Sequence, residues 1–358
     1  MPYTRVEIGG VVKNISIISF GASSFSNFFG LEEGQTIEER ERGWVETLTH
    51  AIREGINLID TAPWYGHGES ERILGKAFAD KEKLPRSSFY LQTKVGRYEA
   101  DPARMFDFSR EKTIAAVNNS IKVMNCGYLD VVQIHDPEFC TNLDVIIEET
   151  LPALDQLRQE GKIRAIGMTG YPLEVQMELI SRSTVRIDQS LTYAHNSLHC
   201  HGELFKTFRP FLAERNMALL SAAPLSMRLL TPVGPPDWHP AGDDLKNACK
   251  AAVDYCAEMG CDIVKLSTIY SCSFAHPSKI CTTILGCKNI SEVDLAIENG
   301  RSLFDYHSRS NNQEEGGDLV IDELPLTEHE KTVLKHILEV IFDPKTVKGI
   351  WEHEGAKE

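Results

Sequence analysis

The chain has 358 residues, 42% apolar and 25% charged, with a formal net charge of −15, which allows two average domains or one large barrel with a sizeable core. The acidic balance and the lack of a basic stripe argue against nucleic acid and anionic membrane surfaces as partners. The opening MPYTRVEIGG carries no apolar signal segment and no run reaches the roughly 18 apolar residues of a membrane span, so the nine scattered cysteines read as reduced thiols of a cytoplasmic protein.

Short β-type runs alternate with helical patterns along the chain. ISIISFG (15–21) reads as a strand, and Thr36 with Glu39 as a capping box before a helix that places Trp44, Val45, Leu48 and Ile52 on one face. NLID ends a second strand at Asp60, and a helix runs from about Ser70 to Phe78. FYLQTK ends the third at Lys94. The following helix repeats Ile114, Val117, Ile121 and Met124 at helical spacing, with Gly127 suited to its end. LDVVQIH ends the fourth strand at His135, before a helix carrying Ile147, Leu151, Leu154 and Leu157. IRAIGMTG, VRIDQSLT, MALLSAAP and CTTILG read as strands five to eight. Helices are expected from about Leu173, over 203–215 and 245–259, and from Ile290.

Eight strand-then-helix units in this order predict an α/β fold, a (β/α)8 TIM barrel with extended loops at its C-terminal face. A doubly wound sheet is the alternative, but no G-x-G-x-x-G follows a strand. With no Pro/Ser-rich linker, residues 1–358 are expected to form one domain, with a barrel core over about 10–300 and a tail over 301–358. Val333, Ile337 and Val340 give that tail a last helical face.

In such a barrel the C-terminal strand ends converge on one mouth, where the chemistry sits. Three apolar strands end in Asp60, Lys94 and His135, and Tyr65 follows Asp60 in the turn APWYGHG. A free tyrosine titrates near pH 10 and is a poor acid at neutrality. A neighbouring lysine ammonium favours the phenolate and lowers that value. Asp60 would hold Lys94 charged and in place, and a neutral His135 could bond a substrate oxygen. Tyr65 is then placed to protonate a carbonyl oxygen or to take the proton of an alcohol. Hydride transfer itself needs a cofactor.

The pattern D-T-A-x-x-Y-G, a strand ending in T-K, and L-D-V-V-Q-I-H resembles the aldo-keto reductases over about residues 10–300. The resemblance implies a catalytic tetrad of Asp60, Tyr65, Lys94 and His135, a cytosolic barrel, and a nicotinamide dinucleotide bound across the mouth. It places Gly21, Ala22 and Asp60 near the nicotinamide. Thr169 and Gly170 fall where a Ser-Asn pair usually holds the carboxamide, and Gly170 departs from Asn. Ser190 falls three residues before Tyr193, where a glutamine is usual, and Gln189 one position earlier, so either could serve. Pro224, Leu225, Ser226 and Met227 match the loop along the pyrophosphate. Gly286, Cys287, Lys288 and Glu292 match the adenosine-phosphate segment. A carboxylate at Glu292 repels a 2′-phosphate and can accept from a 2′-hydroxyl, which favours NAD. Lys288 keeps NADP possible.

Likeness to the sugar dehydrogenases of the family implies oxidation of L-galactose or a related aldose at C1 to the lactone. The alternatives are a general NADPH-dependent aldehyde or carbonyl reductase and a cofactor-binding regulatory subunit with little turnover. The expected partner is a small sugar or aldehyde, with the chain a monomer or small homo-oligomer. Trp64, Phe25, Phe28, His135 and Trp238 are candidates for the substrate pocket, since aromatic faces suit the apolar side of a sugar ring. In YAHNSLHCHGE, His195, His199 and His201 with Cys200 have the composition of a metal site, and His195 and His199 would share a face if the piece were helical. The redox reaction needs no metal, so the run is read as a loop near the sugar pocket.

Overall fold

The computed structural model describes residues 1–26, 35–200, 202, 204–276, 280–304, 306 and 321–351. Eight parallel strands close into a barrel in the order β10-β3-β4-β5-β6-β7-β8-β9. They are β3 (Ile18–Gly21), β4 (Leu58–Asp60), β5 (Tyr90–Val95), β6 (Leu129–His135), β7 (Ile163–Gly170), β8 (Gln189–Tyr193), β9 (Ala218–Ala222) and β10 (Thr283–Gly286). The chain is therefore a (β/α)8 TIM barrel, as its strand pattern predicts. Every residue of β6 is buried, as expected for a strand covered on both faces.

Helices follow the strands on the outside: α1 (Ile37–Arg53), α2 (Glu69–Phe78), α3 (Arg110–Met124), α4 (Leu151–Gln159), α5 (Leu173–Arg182), α6 (Arg209–Ala213), α7 (Asp243–Glu258), α8 (Ile263–Ser273) and α9 (Ile290–Ser302). In α1 the predicted capping box forms: the Thr36 side chain accepts from Glu39 N–H and the Glu39 carboxylate accepts from Thr36 N–H. Its inner stripe buries Trp44, Leu48, Ala51 and Ile52. Each large apolar side chain of this kind contributes roughly 1.5–3 kcal/mol by leaving water. α3 ends two residues before Gly127, at Asn125 in the left-handed conformation.

Three parts of the fold differ from the sequence reading. The expected first strand divides: β2 (Val11–Ser16) pairs with β1 (Tyr3–Ile8) as an antiparallel hairpin, and only β3 enters the barrel. Val6, Ile8 and Ile15 of the hairpin cluster with Leu58, Val131, Ala165, Ala218 and Cys281, which closes the end of the barrel opposite the mouth. Helix α8 has no counterpart in the reading. Nine of its eleven residues are buried, so it shows no amphipathic stripe. In the tail, α10 (Glu328–His336) buries Val333 and Leu334 and is followed by buried Ile337, but Val340 is exposed. Among the described residues no helix is long and apolar enough to cross a membrane.

Candidate active site

The strand periodicity sets up the site. Side chains two apart share a face, so Gln92 and Lys94 of β5 point the same way, as do Gln133 and His135 of β6. Above the apolar plug the barrel interior thus becomes a glutamine layer and then an acid–base layer. Gln189 donates to Gln92 Oε1 at 3.0 Å. Gln92 and Gln133 both donate to Asp60 Oδ1, at 2.8 and 3.2 Å. Gly167 leaves the room: a Cβ there would lie 2.8 Å from Gln133 Cγ and 3.0 Å from Gln189 Cγ. The reading missed this layer, although the spacing Q-x-K and Q-x-H carries the signal.

Asp60 Oδ2 accepts from Lys94 Nζ at 2.7 Å, across a pair in which Asp60 is 5% and Lys94 2% exposed. Lys94 also donates to Thr61 O at 2.9 Å and to Tyr65 Oη at 3.0 Å. An ammonium has three protons, and all are used. Tyr65 Oη accepts one of them, so its own proton is directed elsewhere. The turn that delivers Tyr65 runs through Gly66, His67 and Gly68, all with positive φ, and is tied down where Ser70 Oγ donates to Ala22 O at 2.9 Å. His135 meets the Tyr65 ring edge-on, with centroids 6.0 Å apart. Its Nδ1 is buried without a hydrogen-bond partner among the described residues.

Burial raises the Tyr65 phenol above its ordinary value. The Lys94 ammonium opposes this without cancelling it, which differs from the net lowering expected from sequence. Burial pulls the Lys94 ammonium down, but Asp60 and Tyr65 outweigh it and hold the group above the ordinary lysine value. Burial pushes His135 down to about 3, so its imidazole is neutral at physiological pH. The set therefore joins a protonated phenol, a charged ammonium fixed on a carboxylate and a neutral imidazole. That arrangement can exchange one proton with an oxygen at the mouth.

Around this centre lie the other candidates. Gly21 pairs with both Asp60 and Gly286 across neighbouring strands, and Thr169 pairs with His135. Gly170 ends β7, and a Cβ on it would lie 2.5 Å from Glu138 Oε2. The Glu138 carboxyl thus occupies the space beside residue 170. Oε1 accepts from Tyr171 N–H at 3.0 Å, while Oε2 is buried with no partner among the described residues. Burial and the neighbouring Asp136 push this acid up to about 8. Ser190 turns outward to α5, where it donates to Gln176 at 2.6 Å, whereas Gln189 belongs to the interior layer. In the 224–227 loop, Ser226 and Met227 take left-handed backbone and Ser226 Oγ bonds His199 Nε2 at 2.6 Å. Ala22 and Cys287 are buried. Glu292 accepts from Lys288 N–H at 2.9 Å, and its other oxygen lies 3.9 Å from Lys288 Nζ.

The aromatic candidates separate. Trp64 lies at the site, under the Arg97 guanidinium at 4.1 Å and edge-on to His67. Phe25 does not: it is 0% exposed and stacks on Trp44 at 5.4 Å in the core. Trp238 is 63% exposed, and Phe28 lies outside the described residues. The histidine run is a set of turns, so His195 and His199 share no helical face. His195 contacts Tyr171 O and Cys200 Sγ, and His199 contacts Gly349 O and Ser226 Oγ. These rings tie loops and tail together. His201 lies outside the described residues.

The aldo/keto reductase family profile matches residues 18–305. The chain belongs to the aldo/keto reductase family. As a member of that family it is an oxidoreductase, of a kind that uses NAD(P)H on small aldehyde or sugar substrates. L-galactose dehydrogenase of Arabidopsis thaliana is 36% identical over 87% of this chain and 92% of its own. D-arabinose 1-dehydrogenase of Saccharomyces cerevisiae is 29% identical over 71% of this chain and 75% of its own. Among solved structures, glycerol dehydrogenase of Gluconobacter oxydans superposes with a TM-score of 0.67 at 22% identity, covering 98% of this chain and 99% of that one. This last likeness speaks to the fold.

Proposed function

We propose that this aldo/keto reductase is an NAD-dependent sugar dehydrogenase that oxidises L-galactose or a related aldose at C1 to the lactone. Asp60, Tyr65, Lys94 and His135 carry the reaction, with Tyr65 as the general acid–base. The observation that carries the reading is the Lys94 ammonium, buried and held by Asp60, Thr61 and Tyr65. The similarity to two aldose dehydrogenases supports the substrate class. Gly21, Ala22, Thr169, Gly170, Pro224 to Met227, Gly286, Cys287, Lys288 and Glu292 would hold a nicotinamide dinucleotide, and the unpartnered buried atoms His135 Nδ1 and Glu138 Oε2 suit a polar ligand there. When bound, that group supplies the hydride acceptor.

The protein's own part is positioning and proton transfer. Tyr65 takes the proton of the C1 hydroxyl. Lys94 stabilises the phenolate this requires, and Asp60 keeps Lys94 in place. Neutral His135 donates to the same substrate oxygen and fixes its direction towards Tyr65. Because burial raises the phenol, oxidation should accelerate as pH rises towards the phenol's value. The same raised value suits the reverse direction at neutral pH, so reduction of aldehydes is the second reading. Glu292 favours NAD: its carboxylate would repel a 2′-phosphate. Fluorescence titration with NADH and NADPH tests this. NADH should bind at least about tenfold tighter, and Glu292→Arg should narrow or reverse the ratio. Equal affinities in the native protein would remove Glu292 from the argument.

A further inference from the structure

A second charged pair stands beside the four residues. Arg97 follows β5 three positions after Lys94, and Asp136 follows His135 directly. Arg97 Nη1 donates to Asp136 Oδ2 at 2.7 Å, and the same carboxylate oxygen lies 3.7 Å from His135 Nε2. The two side chains are 23% and 18% exposed, so the pair is sheltered yet reachable. Asp136 sits at φ 48 and ψ 57. A non-glycine residue in this left-handed region carries a cost of about 1 kcal/mol and merits a functional hypothesis. Arg97 is held flat among rings, with its guanidinium 4.1 Å from Trp64, 5.3 Å from Phe106 and 5.9 Å from Phe139. Its Nε is buried with no partner among the described residues.

We propose that Arg97 and Asp136 form the specificity-determining pair, reading the hydroxyl on the carbon next to the one that reacts. This rests on the aldose-dehydrogenase reading. A hydroxyl is both donor and acceptor, and a carboxylate beside a guanidinium offers one of each. His135 is the group that holds the reacting oxygen, and Asp136 is its neighbour in chain and space. The hydroxyl in reach is therefore the one on the adjacent carbon, C2 of an aldose. A plain aldehyde or a 2-deoxy sugar takes water from the pair without replacing the hydrogen bonds that water made, which is how a polar site rejects an analogue lacking the group it bonds.

The test compares kcat/KM for L-galactose and 2-deoxy-L-galactose in the native protein, Asp136→Asn and Arg97→Lys, with NADH affinity and circular dichroism as folding controls. The native protein should prefer the hydroxylated sugar by about 100-fold, a partly exposed fraction of what a fully buried reader achieves. In Asp136→Asn that ratio should fall below about tenfold, mostly through loss on L-galactose. Arg97→Lys, which keeps the charge but loses the planar fork, should fall between. An unchanged ratio in folded, NADH-binding Asp136→Asn would overturn the pair's role and leave the dehydrogenase reading standing. Turnover of no aldose by the native protein, despite NADH binding, would overturn both.

Discussion

Replacing Lys94 by methionine keeps most of the buried stem and removes one ammonium. The loss falls on three contacts, to Asp60 at 2.7 Å, Thr61 O at 2.9 Å and Tyr65 at 3.0 Å. For Tyr65 the ammonium is the main influence opposing burial. An opposite charge at this range typically lowers a pKa by about 1–3 units, so the phenol should climb by that amount in Lys94→Met. Well below the phenol's value, the phenolate fraction then drops by about 10- to 1000-fold, or about 1.4 kcal/mol for each tenfold. The rate of NAD reduction by an aldose should fall in proportion, and its rise with pH should move about 1–3 pH units to the alkaline side. The variant also leaves the buried Asp60 carboxylate without its counter-ion. Gln92 and Gln133 still donate to it, so the stability loss should sit near the lower end of the range for breaking a buried pair, about 3 kcal/mol by urea unfolding. The assay is initial rate at 340 nm from pH 6 to 10, on protein shown to be folded and to bind NADH. A pH profile superimposed on that of the native protein would refute the coupling between Lys94 and Tyr65.

Glu138 gives a pH-dependent stability of definite sign. Its folded-state value is raised, so the folded state holds a proton that the unfolded chain releases; the advantage is complete below the ordinary glutamate value and lost as pH rises through about 8. Each pH unit in that window is worth at most about 1.4 kcal/mol. Urea unfolding of Glu138→Gln should accordingly lose this slope, gaining on the native protein between about pH 5 and 8, and a parallel pair of stability curves would contradict the assignment. The Glu292→Arg titration above checks cofactor choice, with NADPH affinity expected to rise.

The barrel was legible because short β-type runs alternate with helical patterns eight times, and three consecutive runs end at Asp60, Lys94 and His135. The N-terminal hairpin carried a Gly9-Gly10 turn signal, both residues having positive φ, but its first strand is half-exposed and the more apolar ISIISFG masked the boundary. Helix α8 is buried nearly all round and has no period to read. Phe25 lies close in sequence to the mouth, yet Trp44 of α1 draws it into the core. Arg97, Asp136 and Glu138 carry no sequence signal as single charged residues after strands; only the closure of β5, β6 and β7 side by side brings them together. The tail contact is of the same kind: Trp351 donates its backbone N–H to Tyr171 Oη at 3.0 Å and stacks on that ring, a pairing 180 residues apart in the chain.

The central claim is that Tyr65 moves the proton in aldose oxidation. The most direct measurement is the initial rate of NADH formation from NAD and L-galactose, native protein against Tyr65→Phe, with NADH affinity measured in both. The account predicts that affinity changes little while the rate falls by about 10²–10⁴, the usual contribution of a positioned acid or base. A Tyr65→Phe variant that oxidises the sugar at the native rate would contradict it.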